Sequence, residues 1–226
     1  MVKKKEFSAD FHIHSHYSFD SLSKVEDILH ASQKANLDAI AITDHNSIEG
    51  ALEARDFAKE SGLRLQVIVG EEVSTDKGDL LVYFLKKKIE PGSLQEVLQE
   101  VKAQRAVCCA AHPYDRYREG IPLPSLLPKT LSQIDAIEVF NARASLPSFN
   151  DQALKFASMN SKPFLAGSDA HGISEIGAAK VVFEGISKLD AKSILAAKRR
   201  IVGKLSPKYV HLFSRYAVLG KKLGWK

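Results

Sequence analysis

Short apolar runs in this chain end, one after another, on histidines and carboxylates. The first leads into Asp10-Phe11-His12-Ile13-His14-Ser15-His16, and later ones close on Asp44-His45, Glu71-Glu72, His112 and Asp169-Ala170-His171. Runs this short, bounded by turn residues, read as buried strands. They predict strands over residues 6–13, 38–43, 63–69, 79–85, 106–111, 135–140, 163–166 and 180–183. Helical spacing fills the gaps. Val25, Ile28, Leu29 and Leu37 follow a cap offered by Ser21-Leu22-Ser23, and a second helix starts at Ser47 and stops at Gly62. Further helices are expected over 93–104, 147–160 and 189–200. His30 falls within the first helix and reads as a surface or packing residue.

Strands alternating with helices imply βα units and a parallel sheet. Seven or eight such units point to a closed (β/α) barrel of the α/β class, whose strand ends meet at one mouth. Alternate residues of an extended strand share a side, so His12 and His14 present two imidazoles together. Residues 1–203 form the expected barrel domain, and 204–226 a basic amphipathic C-terminal tail. The prolines of 114–128 mark a long loop, and long loops in compact domains are often functional.

Charge is unevenly placed. The net of +5 arises because residues 191–226 hold ten Lys/Arg and no Asp/Glu, whereas the rest of the chain is mildly acidic. Such a tail suits nucleic acid or an anionic surface, or a solvated amphipathic helix. No apolar run approaches the roughly 20 residues that span a bilayer. Met1-Val2-Lys3-Lys4-Lys5 is basic without an apolar run after it, so no secretory signal is expected. The two cysteines, Cys108 and Cys109, are adjacent and point to opposite faces of a strand, so they read as small core residues of a reducing cytoplasm.

Imidazoles and carboxylates gathered in one place are costly without cations. Histidine with carboxylate suits zinc, manganese or iron, and no cysteine is placed to make a thiolate zinc site. More ligands exist than one ion uses, so two or three divalent ions sharing a carboxylate are expected. Such sites favour in-line attack on phosphorus.

The ordered series Asp10-Phe11-His12-Ile13-His14-Ser15, Thr43-Asp44-His45, Gly70-Glu71-Glu72-Val73-Ser74, Ala111-His112-Pro113, Ile137-Glu138-Val139-Phe140-Asn141 and Gly167-Ser168-Asp169-Ala170-His171 resembles the polymerase and histidinol phosphatase (PHP) family over residues 7–183. The resemblance implies a distorted seven-stranded (β/α) TIM-like barrel, a trinuclear metal cluster and phosphoesterase activity through a metal-activated hydroxide. It implies His12, His14, Glu72 and Asp169 at the first ion. Glu72 would bridge to a second ion with His112 and Asn141, Glu138 being the alternative to Asn141. Asp20, His45 and His171 would hold the third, with His12, His45, Glu72, Asp169 and His171 at the centre of the chemistry. Glu71 is expected to turn away toward a supporting or solvent position, Asp44 to orient His45 or a neighbouring loop, and His16 to be a supporting or simply polar residue. Relatives often carry a histidine at the start of the fourth strand, where this chain has Asp79, read as a substituted polar contact or a strand-edge residue.

A phosphoester also needs cationic side chains. Arg143, Arg116 and Arg118 are the candidates, because guanidinium groups match phosphate oxygens two at a time. The substrate is expected to be a small phosphomonoester or a nucleotide phosphoester. The alternative is a nuclease or nucleic-acid module using the tail, where Tyr209, Phe213, Tyr216 and Trp225 interleave with Lys208, Arg215, Lys221 and Lys222. A metal-stabilised scaffold without turnover would need fewer ligands than this chain offers.

Overall fold

A computed structural model describes residues 6–224. The basic start at 1–5 and Trp225 of the tail lie outside the described residues. The chain runs β1 (Glu6–Ile13), α1 (Val25–Lys34), β2 (Ala39–Ile42), α2 (Glu49–Glu60), β3 (Gln66–Thr75), β4 (Gly78–Tyr83), α3 (Leu94–Gln104), β5 (Val107–Ala110), α4 (Pro128–Gln133), β6 (Ala136–Asn141), α5 (Pro147–Met159), β7 (Phe164–Gly167), β8 (Ala179–Glu184), α6 (Ser193–Ala196), β9 (Arg199–Gly203) and α7 (Val210–Lys222). One curled sheet orders the strands β7-β6-β5-β4-β3-β2-β1-β8-β9. Its ends come together. Ile13 bridges Ala170 just past β7, and the Arg199 guanidinium on β9 donates to Phe164 O on β7.

Period-two burial splits the core into two layers. Phe7, Ala9, Phe11, Ala39, Ala41, Leu81, Tyr83 and Cys109 fill the barrel. Ile40, Ile42, Leu80, Val82 and Cys108 face outward onto α1, α2, α3 and α5. The adjacent cysteines thus serve opposite faces, as expected.

Four sequence expectations are corrected. The strand count is nine, and β4 runs antiparallel to both β3 and β5, while β8 and β9 also pair antiparallel. β3 runs straight through Gly70-Glu71-Glu72 and turns at Asp76-Lys77 into a hairpin with β4, where the third strand was expected to end at Val69. Residues 189–200 form only the short α6 before entering β9, where Ile201 and Val202 are β-branched. Ser21 and Ser23 do not cap α1; both hydroxyls donate to His171 O. The long loop after β5 holds a single helical turn at 123–125 and then α4.

Two register shifts matter for the site. Between Asp10 and Ile13, β1 carries one residue more than β2, and β6 carries one more than β7 between Glu138 and Phe140. A bulge re-aims successive side chains. Phe11 therefore enters the barrel core while the next residue, His12, reaches the mouth, and Glu138 and Asn141 both reach it from β6.

Candidate metal centre

His12, His14, His45, Glu72, His112, Asp169 and His171 all converge at the barrel mouth, with Asp20 beside them. Two of these residues sit in left-handed backbone, His112 at φ 26° and Asp169 at φ 55°. Such conformations are sparsely populated for non-glycine residues and persist where the surroundings over-determine them. Gly167 permits the closest approach, because a Cβ there would lie 2.3 Å from His12 Cβ.

Hydrogen bonds fix which nitrogen of each ring faces inward. His12 Nδ1 donates to Glu138 Oε1 at 2.9 Å. His14 Nδ1 donates to Ser18 Oγ at 3.0 Å, whose own proton goes to Asp44 Oδ1 at 2.7 Å. His171 Nδ1 donates to the Asp169 carbonyl at 2.8 Å. With Nδ1 protonated, each Nε2 presents a lone pair to the centre.

With the rings neutral, as metal ligation requires, the first nest contains only acceptors. His12 Nε2 and His14 Nε2 lie 3.0 Å apart, each is 3.3 Å from Glu72 Oε2, and they are 3.5 and 3.4 Å from Asp169 Oδ1. A tetrahedral zinc site with bonds of about 2.0–2.1 Å has edges of about 3.3–3.4 Å. Four of the five edges, at 3.3–3.5 Å, are close to that size, and Asp169 Oδ1 has no hydrogen-bond donor. A proton satisfies two of these atoms, whereas one divalent ion satisfies His12 Nε2, His14 Nε2 and Asp169 Oδ1 together, with Glu72 Oε2 beside both imidazoles.

Glu72 spans the centre. Its Oε2 also lies 3.2 Å from His45 Nδ1, and its Oε1 lies 3.1 Å from His112 Nε2. His14, Asp20, His45 and His171 form a further group, with His171 Nε2 2.8 Å from Asp20 Oδ2. Asp79 joins Glu72 and His112 in a third. Asp79, expected as a substituted polar contact or a strand-edge residue, is turned into the mouth by the hairpin, where its Oδ1 is buried without a hydrogen-bond partner.

The electrostatics follow from burial and mutual charge. Burial drives His14 down to about 3, reinforced by His171 and His45. Burial opposes charge on His45 too, but Glu72 and Asp20 outweigh it and lift it to about 9. Burial also opposes ionisation of Glu72 and Asp169, yet His12 with His45, and Arg118 with His12, hold them well below the ordinary carboxylate range. Burial and the nearby Glu72 push Asp79 up to about 6.

Several supporting residues take roles that the sequence did not assign. Glu138 is an orienting group, because its Oε2 accepts from His112 N at 2.8 Å while Oε1 holds His12. Asn141 points its amide nitrogen inward, donating to Glu138 Oε2 at 3.1 Å and Asp169 Oδ2 at 2.9 Å, while its oxygen accepts from Arg143 N. It is placed as a hydrogen-bond donor, not as the expected metal ligand. Asp10 braces β1, accepting from His12 N, Ser168 N and Gly177 N. Asp44 holds the 15–18 turn through Ser15 and Ser18. Glu71 is buried on the opposite side of β3, accepting from Ile89 N, so it is not a solvent residue. His16 lies tilted against the Tyr17 ring and joins none of the three groups.

The three arginines separate. Arg118 enters the mouth, paired with Asp169 Oδ2 and 3.5 Å from Asn141 Oδ1. Arg116 is exposed on the same loop. Arg143 is buried and committed elsewhere: its Nε lies 3.2 Å from Glu175 Oε2, and its Nη2 donates to Val210 O and Ser214 Oγ of α7. A guanidinium so engaged is a tether for α7, which corrects its expected place against substrate.

Known proteins resemble this chain in sequence and in fold. An uncharacterized protein of Methanocaldococcus jannaschii is 33% identical over 147 residues, 59% of this chain and 81% of its own length. A second from that organism is 31% identical over 182 residues, 79% of this chain and 71% of its own. An error-prone DNA polymerase of Symbiobacterium thermophilum is 29% identical over 123 residues, which span 51% of this chain but 11% of the polymerase. Among solved structures, a two-domain protein of Bacteroides vulgatus containing a predicted PHP-like metal-dependent phosphoesterase superposes with a TM-score of 0.72 at 17% identity, over 96% of this chain and 71% of that one. The lesion-specific endonuclease PfuEndoQ of Pyrococcus furiosus gives 0.63 at 17%, over 87% and 58%. The PHP domain model matches residues 10–158, and a PHP-associated model matches 147–200. With the barrel, the strand-end ligands and the matched span in agreement, the chain belongs to the PHP domain family.

Proposed function

We propose that this protein is a metal-dependent phosphoesterase, hydrolysing a phosphomonoester or a nucleotide phosphoester at the barrel mouth. The observation that carries this reading is the buried nest of His12, His14 and Asp169, whose ligand atoms lie close enough to share one divalent ion, with Glu72 3.3 Å from both imidazoles. Glu72 with His112 and Asp79, and Asp20 with His14, His45 and His171, offer two further seats. Ions bound there supply a water of lowered pKa and neutralise charge that develops on phosphoryl oxygens. Zinc, manganese and iron all accept this ligand set.

The protein's own residues do the rest. Glu138, Ser18 and the Asp169 carbonyl hold three imidazoles with Nε2 directed inward. Arg118 stands beside Asp169 at the mouth, a charged donor for phosphate oxygens. Arg116 extends that positive edge along the same loop.

Phosphate release from an aryl phosphate monoester tests the reading. His45→Ala and Asp169→Ala each abolish turnover, at least 10²–10³-fold by the usual cost of one such electrostatic element, while far-UV circular dichroism stays unchanged. Full activity in both variants overturns it. The same assay on an aryl phosphodiester decides between monoesterase and nuclease-type chemistry, an alternative supported by relatives named as a DNA polymerase and an endonuclease.

A further inference from the structure

The chain's most unusual surface is the outer side of α7. Tyr209, Leu212, Phe213, Tyr216, Leu219 and Leu223 are all more than half exposed there, with Leu212 at 62% and Leu223 at 68%. Positions 209, 216 and 223 alternate with 212 and 219, so these side chains stack as one ridge on a helix. Lys208, Arg215 and Lys222 repeat at the same seven-residue interval, which places a basic column along one flank of that ridge. A contiguous apolar surface of this kind on a folded protein marks an interaction site.

The ridge is not a core face waiting to turn inward. The other side of α7 is already packed, with Val210 and Ala217 buried. Arg143 fixes the first turns, and the Lys221 ammonium at the far end donates to His16 O and Ser18 O. The helix is thus preformed and tethered at both ends, and its ridge is presented outward.

We propose that this face seats the protein on an anionic phospholipid surface. Apolar side chains beside a basic column match the boundary between acyl chains and phosphate headgroups, where tyrosines also prefer to lie. Residues 191–226 themselves hold ten Lys/Arg and no Asp/Glu, and Asp27 of α1 lies across the cavity that Phe213 and Tyr216 line. A second copy fits less well, because α7 against α7 sets the basic columns against each other. Single-stranded nucleic acid fits less well too, because Leu212, Leu219 and Leu223 have no ring on which a base stacks.

Co-sedimentation of the full chain with vesicles tests the proposal. Vesicles of equal phosphatidylcholine and phosphatidylglycerol are expected to bind the protein at least tenfold more tightly than phosphatidylcholine alone, with binding lost at high salt. Each cation near such a surface is worth about fivefold, so Lys208→Glu, Arg215→Glu and Lys222→Glu together weaken binding by on the order of 100-fold or more. Leu212→Ser with Leu219→Ser abolishes it as well. Both variants keep wild-type activity on a soluble aryl phosphate, since none of these residues lies in the metal centre. No vesicle binding, equal binding to both vesicle types, or binding that survives both variants overturns the proposal. So does a variant-sensitive self-association or oligonucleotide binding without vesicle binding.

Discussion

Replacing Glu138 by glutamine separates the orienting shell from the ligands themselves. The wild-type carboxylate accepts from His12 Nδ1 at 2.9 Å through one oxygen, and from His112 N at 2.8 Å and Asn141 Nδ2 at 3.1 Å through the other. Glutamine keeps one acceptor and gains an NH2. Whichever way the amide turns, a donor meets either the His12 ring N–H or the His112 backbone N–H. Loss of an orienting partner typically weakens metal binding 10–100-fold, about 1.4–2.7 kcal/mol. A buried donor left unpaired adds about 1–3 kcal/mol of instability to the fold. Competition with a chromophoric chelator for zinc measures the first quantity, and urea unfolding in excess EDTA measures the second. Zinc affinity within about twofold of wild type would refute the claim that Glu138 sets the direction of His12.

Three further outcomes follow from particular contacts. Asp79→Ala removes one donor from the Glu72–His112 group, so the variant should retain one ion fewer after dialysis against limiting metal, read by elemental analysis; unchanged stoichiometry would return Asp79 to a strand-edge role. Burial raises the Glu71 carboxyl to about 7, so its protonated form is favoured in the fold: its contribution is fully present below the unfolded value near 4.5 and lost as pH rises through 7. Glu71→Gln should therefore match wild type near pH 4 and exceed it by on the order of 1–3 kcal/mol at pH 8 in urea unfolding; equal stability at both would contradict this. Gly167→Ala forces a methyl against His12, and should cost about 1–3 kcal/mol while weakening zinc binding; an unperturbed urea midpoint would show that β7 yields freely.

Much of this molecule could be read from the chain because local rules and global fold agree. β1 spans the residues its apolar run indicated, Ser93 and Glu96 form a reciprocal cap on α3, and Gly62 ends α2 with positive φ. The strand-end position of His12, His45, His112 and His171 followed from barrel topology. What escaped depends on pairing across the sheet. An extra residue in β1 or β6 leaves no trace in composition, so Glu138 and Asn141 stood as alternatives where the structure brings both to the mouth. The β3–β4 hairpin, which carries Asp79 to the mouth, was hidden because the Glu71-Glu72 pair looked like a strand end. Arg143 was misplaced because only the folded α7 reveals what its guanidinium reaches.

Anomalous diffraction from crystals grown with zinc tests the central claim most directly. The account predicts a peak bonded to His12 Nε2, His14 Nε2, Glu72 Oε2 and Asp169 Oδ1, with at least one neighbouring peak sharing Glu72. Zinc bound only at surface histidines, with those four atoms joined by hydrogen bonds or water instead, would contradict it.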